Sequence, residues 1–292
     1  MKILNYGSLN LDYVYTVPHF VQPGETLDVS SREIRFGGKG LNQSVALARA
    51  GVRVYHAGAI GTGGEPLVEY LRNNGVNTEN IIPVGEMQGH TVIQVNRLGE
   101  NCILLFGGSN RCQDAAAIPR TVSAFDPGDW LLLQNEINLL PEIVDTASAR
   151  GMNIVLNPSP FNEALREVDF RKLSWLFVNE IEAEQITGER EPQRIWSCIH
   201  ERWPSLSVLV TLGEKGSAAF RVRGNETETE QQPAEPAEAV DTTGAGDTYT
   251  GYFIAGLMEG CSLKKAMERA SHAAAISVTR PGAAESIPYR DE

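Results

Sequence analysis

Paired cysteines, long apolar runs and an excess of positive charge are all missing from this chain, and each absence removes a class of function. Its four cysteines, Cys102, Cys112, Cys198 and Cys261, are scattered, with no Cys-x-x-Cys pair and no histidine at a zinc-ligand spacing. They read as reduced thiols. No apolar run reaches the roughly 18 residues of a membrane span, and Met-Lys-Ile-Leu leads into a strand pattern rather than a signal peptide. A cytoplasmic location is the expectation. Thirty-seven acidic residues against 25 basic ones leave a net charge of −12, which argues against nucleic acid or an anionic membrane as a partner. There is no Gly-x-Ser-x-Gly elbow, no His-Glu-x-x-His and no dinucleotide fingerprint after the first strand. A solenoid-type repeat is absent too.

What remains is an ordinary soluble composition, 42% apolar and 21% charged over 292 residues, enough for one α/β domain with an appendage. Residues 2–6 read as a buried strand, and Trp130-Leu-Leu-Leu, Asn153-Ile-Val-Leu, 175–178 and 208–210 as further strands, with a helix over 141–150 between the first two. That βαβα order predicts a Rossmann-like, mostly parallel central sheet with helices on both faces. Residues 12–36 and 88–106 alternate instead, and Arg97-Leu-Gly-Glu100 is a hairpin turn, so a small separate β-sheet is expected there. The acidic, proline-bearing stretch 223–238 reads as a surface excursion.

Two glycine motifs carry the chemistry. In Asp241-Thr-Thr-Gly-Ala-Gly-Asp-Thr-Tyr-Thr-Gly251, unhindered backbone precedes an apolar helical pattern. Bare N–H groups at a helix mouth approach anions closely, and the helix dipole favours negative charge there. A carboxylate in the same turn suits a base acting on a hydroxyl brought to a phosphate. This predicts a kinase of a small alcohol, with Asp247 as base and the amides of Gly244, Ala245 and Gly246 as anion hole. Alone, such a turn is more often simply a well-capped helix than a catalytic site. The second motif, Phe36-Gly-Gly-Lys-Gly-Leu-Asn-Gln-Ser-Val-Ala-Leu-Ala-Arg-Ala-Gly51, places Lys39 and Asn42 at another helix mouth, suited to sugar hydroxyls or phosphate oxygens. It is not a Walker A loop, since no Ser or Thr follows the lysine.

The two motifs, about 200 residues apart, together with Gly7-Ser-Leu-Asn10-Leu-Asp12, Gln134-Asn-Glu136, Asn157-Pro-Ser-Pro160, Asn179-Glu-Ile-Glu182, Thr211-Leu-Gly213 and Val278-Thr-Arg-Pro-Gly282, resemble the ribokinase-like (PfkB) carbohydrate kinases over nearly the whole chain. The resemblance implies one domain over 1–292 with a β lid at 12–36 and 88–106. It also implies transfer of the ATP γ-phosphoryl group to a hydroxymethyl group of a pentose, ribose first, with Mg²⁺. Sugar contacts would be Asn10, Asp12, Gly38, Lys39, Asn42 and Glu136. Asn179 and Glu182 would position Mg²⁺-bound water and phosphate, although an Asn cap followed by first-turn acids explains that pair equally well. Thr211, Gly213 and Gly216 would line the nucleotide site, with Ser271 near the base. Asp241, Thr243, Gly282 and Ser286 fall where this family can hold K⁺. A homodimer through the lid strands is compatible with their uncovered edges.

Two stretches depart from the family pattern. Gly61-Thr-Gly-Gly-Glu lacks its usual Asp, and His90-Thr91 replaces small apolar residues of the lid, so a sugar other than ribose stays open. Other family substrates, a sugar phosphate or a nucleoside, remain alternatives, as does a non-catalytic sugar sensor, for which Asp247 would have no use.

Overall fold

The computed structural model describes residues 1–292. Strand β1 (Ile3–Tyr6) leads to β2 (Asn10–Thr16), β3 (Ser31–Gly37) and helix α1 (Lys39–Arg49). Next come β4 (Val54–Thr62), α2 (Glu65–Asn73), β5 (Asn77–Met87), β6 (His90–Val95), β7 (Asn101–Phe106) and α3 (Ala117–Ser123). The middle runs through β8 (Trp130–Gln134), α4 (Leu140–Ala149), β9 (Asn153–Asn157), β10 (Trp175–Asn179), α5 (Glu180–Thr187) and α6 (Pro192–Arg202). The last part holds β11 (Ser207–Thr211), β12 (Ser217–Arg223), β13 (Glu226–Gln232), α7 (Ala245–Met258) and α8 (Leu263–Val278).

Nine strands form the main sheet in the order β13-β12-β11-β10-β9-β8-β1-β4-β5, parallel from β11 to β5 and antiparallel at the β12 and β13 edge. The short apolar runs fit its centre because both faces are covered. Successive residues of β8 serve opposite cores: Trp130 and Leu132 pack with α1, α2, α7 and α8, whereas Leu131 and Leu133 pack with α3, α4, α5 and α6. This is the mostly parallel α/β architecture expected from the strand–helix order. The second sheet, β3-β2-β6-β7, holds the predicted hairpin as β6 and β7.

One local expectation gains structure. The acidic stretch after residue 223 does lie at the surface, but it is not all loop: Glu226–Gln232 is an exposed strand paired in full register with β12, from Ser217↔Gln232 to Arg223↔Glu226. Its alternating Thr and Glu suit an edge strand, where Thr favours the pleat and exposed charges deter further pairing.

Parallel strands all end on one side, so the sheet gathers the residues that follow them. Ser8 follows β1, Glu136 follows β8, and Asn157, Asn179 and Thr211 terminate β9, β10 and β11. A crevice beyond these carboxyl ends is where such sheets bind ligands.

Candidate active site

Asp247 is the third residue of α7, after Gly244, which caps the helix in the left-handed conformation at φ 76°. A residue with Cβ is strained in that region, and a Cβ there would also press on Ala283 at 3.1 Å, so glycine satisfies both constraints. The backbone N–H groups of Gly244 and Gly246 have no protein acceptor, and that of Ala245 reaches the Thr242 carbonyl at only 3.3 Å. The helix mouth therefore presents donors beside a carboxylate.

That carboxylate is buried and held from α1. Asn42 Nδ2 donates to Oδ2 at 2.9 Å and Gln43 Nε2 donates to Oδ1 at 2.8 Å. Burial raises the Asp247 pKa, while Lys39 and the two amide donors pull in the other direction without cancelling the rise. A carboxylate whose pKa burial has raised is, once ionised, a better proton acceptor than an exposed one.

Around it the sequence-predicted residues fall into three groups. Lys39, Asn42 and Glu136 are close to Asp247: Glu136 accepts from the Lys39 backbone N–H at 3.0 Å and pairs with Lys39 Nζ at 3.7 Å. Burial lowers the Lys39 ammonium, but Glu136, Asp247 and Glu182 outweigh it, and the net shift is upward. Asn10 and Asp12 stand on β2. Asn10 Oδ1 accepts from Asn110 Nδ2 at 2.7 Å, and Asp12 Oδ1 accepts from Thr91 Oγ1 at 2.6 Å. Burial pushes the Asp12 carboxyl up to about 6 despite the Thr91 hydrogen bond, with Glu136 adding to the rise. Gly38, at φ 89°, lets the chain turn from β3 into α1.

A cavity of about 410 Å³ touches this group at Asn10 and Glu136, and Asn110 and Arg111 also line it. Asp12, Lys39, Asn42 and Asp247 lie outside its lining.

The second group is further along the sheet. Asn179 and Glu182 form a reciprocal capping box at the start of α5, with Glu182 Oε2 accepting from the Asn179 N–H at 3.0 Å and Asn179 Oδ1 from the Glu182 N–H at 2.9 Å. Thr211 sits beside Asn179 in register. Gly213 and Gly216 bound a short 3₁₀ turn, and any Cβ on Gly216 would collide with the Gln232 carbonyl. Ser271 Oγ reaches the next carbonyl, Pro233, at 3.3 Å, so Gly216 and Ser271 border the same segment. None of these makes a hydrogen bond to Asp247. Tyr249, on α7, connects the groups through its hydroxyl contact with Ser217 Oγ at 2.7 Å.

The third group lies beyond Gly244. Asp241 accepts from the Thr243 N–H at 3.0 Å and the Gly282 N–H at 2.9 Å, and Arg35 Nη1 is 3.6 Å away. Burial would raise the Asp241 carboxyl, but these hydrogen bonds and Arg35 leave it below its usual range. Ser286 Oγ donates to the Ala283 carbonyl at 2.8 Å, on the same loop.

Several participants were not singled out from sequence. Gln43 and Gln134 were only parts of quoted motifs, and Asn110 stands 100 residues from its partner Asn10. The spacing Lys39, Gln43 on one helix turn was the available signal for Gln43. Nothing local marks Asn110.

No cluster of three or more His, Cys, Asp or Glu side chains is placed to hold a metal by itself. No helix is long and apolar enough to cross a membrane.

Comparison with known proteins gives the family and the fold. The model of the pfkB family carbohydrate kinases matches residues 1–290. A curated ribokinase of Haemophilus influenzae is 36% identical over 296 residues, covering 98% of this chain and 95% of that protein. Among solved structures, ribokinase from Cryptococcus neoformans in complex with ADP superposes with a TM-score of 0.82 at 34% identity, over 99% of this chain and 97% of that one. Ribokinase of Arabidopsis thaliana complexed with ribose and ATP gives a TM-score of 0.85 at 29% identity, covering 99% and 96%.

Proposed function

This chain belongs to the pfkB family of carbohydrate kinases, and we propose that it phosphorylates the hydroxymethyl group of ribose with ATP. It is a phosphotransferase acting on a sugar hydroxyl. The observation that carries the finer reading is the buried Asp247 carboxylate, which stands at the mouth of α7 between free backbone donors and the Lys39, Asn42 and Glu136 cluster.

In this reading Asp247 takes the proton of the attacking hydroxyl as its oxygen bonds to the γ-phosphorus, and the bond to the ADP leaving oxygen breaks. The amides of Gly244, Ala245 and Gly246 hold the transferring oxygens, because positioning and charge neutralisation dominate phosphoryl transfer. Asn10, Asp12, Gly38, Lys39, Asn42 and Glu136 hold the sugar. Asn179, Glu182, Thr211, Gly213, Gly216 and Ser271 line the nucleotide site.

Mg²⁺ commonly keeps its waters and binds through nucleotide phosphates with one or two carboxylates, which fits a site that has buried Glu182 and no acidic cage. When bound it would neutralise phosphate charge. Asp241, ionised at neutral pH beside the loop of Gly282 and Ser286, supplies with Thr243 the oxygen donors a K⁺ ion requires. Such an ion would steady the turn before Gly244. We further take residues 1–292 as one unit, with the small sheet as lid over the sugar. The fully exposed β7, with Leu104 66% accessible, is a pairing edge suited to a homodimer.

A sugar phosphate is disfavoured. Of the arginines near the lid, Arg32 lies over the Tyr13 ring, Arg35 pairs with Glu33 and Asp241, and Arg97 sits in the exposed hairpin turn, leaving Arg111 in a cavity that also holds Glu86 and Glu136. A second reading is favoured by Thr91: its hydroxyl already occupies Asp12 Oδ1, which suits a sugar with fewer neighbouring hydroxyls, such as 2-deoxyribose. A non-catalytic sensor would need neither the base nor its donors.

The test is ADP release across ribose, 2-deoxyribose, hexoses, nucleosides and sugar phosphates, with K⁺ or a large inert cation. Ribose should give the highest kcat/KM, and K⁺ should activate. A nucleoside or sugar phosphate leading the panel would displace the reading, and indifference to K⁺ would remove the cation.

A further inference from the structure

We propose that Gln43, locked in place by Gln134, is the positioning residue that orients the Asp247 carboxylate toward the reacting hydroxyl. The inference rests on Asp247 being the base. The two donors to Asp247 differ in kind. Asn42 is a predicted sugar contact, and its buried Oδ1 has no protein partner, so substrate will compete for this side chain. Gln43 has no such duty. It is fully buried, its Nε2 bonds Asp247 Oδ1, and its Oε1 accepts from Gln134 Nε2 at 2.7 Å.

Gln134 cannot release that bond cheaply. Its other N–H donates to Asn5 Oδ1 at 2.9 Å, and Asn5 Nδ2 in turn donates to the Gly40 carbonyl at 2.7 Å and Ser44 Oγ at 2.8 Å. Ser44 Oγ, which accepts from Asn5, also shares a hydrogen bond with His56 Nδ1 at 2.8 Å. Burial holds the His56 imidazole down at about 4, so the ring is uncharged at neutral pH. Every member of this chain, Asn5, Gln43, Ser44, His56 and Gln134, is inaccessible to solvent.

The consequence is a fixed polarity. Turning the Gln43 amide over would aim its carbonyl at the carboxylate and its NH₂ at the NH₂ of Gln134, leaving buried groups unpaired on both sides. Helix packing brings the amide within reach. Gly251, one turn after Asp247, lies against Ala46, and its missing Cβ would come within 2.9 Å of Leu47 N. The other charged groups that face Asp247 are Lys39 on α1 and Glu136 after β8.

A donor to the ionised form lowers a carboxyl pKa and fixes its lone pairs, so losing it should affect the chemical step more than sugar binding. The experiment compares pH profiles of Gln43→Leu, Gln134→Met and Asp247→Asn with the unsubstituted enzyme. Gln43→Leu should reduce kcat by about 10- to 100-fold, as expected for a hydrogen bond to a charged group. Its sugar KM should stay within about threefold, and the acid limb of kcat/KM should move up by roughly one pH unit. Gln134→Met, one residue further from the carboxylate, should move the limb in the same direction by less, and it carries the test if Gln43→Leu does not fold. A lowered melting temperature with kcat and the acid limb unmoved in the soluble variant would overturn the proposal and make Gln43 a core residue. Asp247→Asn with full turnover would remove the base itself, an outcome distinct from failure at Gln43 alone.

Discussion

Asn42 Nδ2 lies 2.9 Å from Asp247 Oδ2 across 205 residues of chain. With the Gln43 bond to the other carboxylate oxygen, the two glycine motifs thus meet through two hydrogen bonds, because α1 and α7 begin at the same end of the same helical layer. The site is an encounter of two helix mouths, each opened by glycine, and the following predictions test its parts.

Thr91 and Asp12 test specificity. Thr91→Val removes the hydroxyl that occupies Asp12 Oδ1 and frees an acceptor for sugar. The ratio of kcat/KM for ribose over 2-deoxyribose should rise by about 3- to 10-fold, in the range of one hydrogen bond. An unchanged ratio in steady-state assays would take Thr91 out of substrate selection.

Asp12 also makes a stability prediction. Its carboxyl is raised to about 6 in the folded protein, so between its unfolded value near 3.8 and about 6 the native state binds more protons. Its ionisation therefore weakens folding as pH rises through that window, and the penalty is complete above it. Asp12→Asn should raise the melting temperature at pH 8, and the gain should shrink as pH falls toward 4, while sugar affinity drops. Equal gains at both pH values in thermal melts would contradict the assigned shift.

Two glycines of α7 separate packing from chemistry. Gly251 abuts Ala46, so Gly251→Ala should cost about 1–3 kcal/mol by overpacking and should pry α1 from α7. Gly246 has nothing within 4 Å of where a Cβ would project. Gly246→Ala should leave the melting temperature nearly unchanged yet lower kcat about tenfold or more, because the methyl obstructs approach of the transferring phosphoryl group to the helix mouth. Full activity in Gly246→Ala would argue against an amide cradle there.

Much of this was readable before any coordinates. The uninterrupted apolar runs at 130–133, 154–156, 175–178 and 208–210 fall in β8, β9, β10 and β11, since strands buried on both faces leave no alternation to misread. Glu180–Thr187 followed by Gly188 was legible from cap chemistry, and the structure has the helix with those bounds and Gly188 at φ 79°. The strand at 226–232 was hidden because its composition is that of a solvated loop, and only its partner β12 makes it a strand. The glycines and Asp247 announced the helix mouth through local geometry. The relay from Gln43 to His56 had no sequence signal, because it joins residues of α1, β1, β4 and β8 that only the folded sheet brings together.

The most direct test of the whole account is single-turnover phosphoryl transfer by Asp247→Asn, measured beside calorimetric sugar affinity and thermal stability. With Asp247 as base, turnover should fall by about 10²- to 10⁴-fold, while the sugar dissociation constant and the melting temperature stay close to those of the unsubstituted enzyme. Turnover that survives the substitution, with the same folded protein and the same sugar affinity, would contradict it.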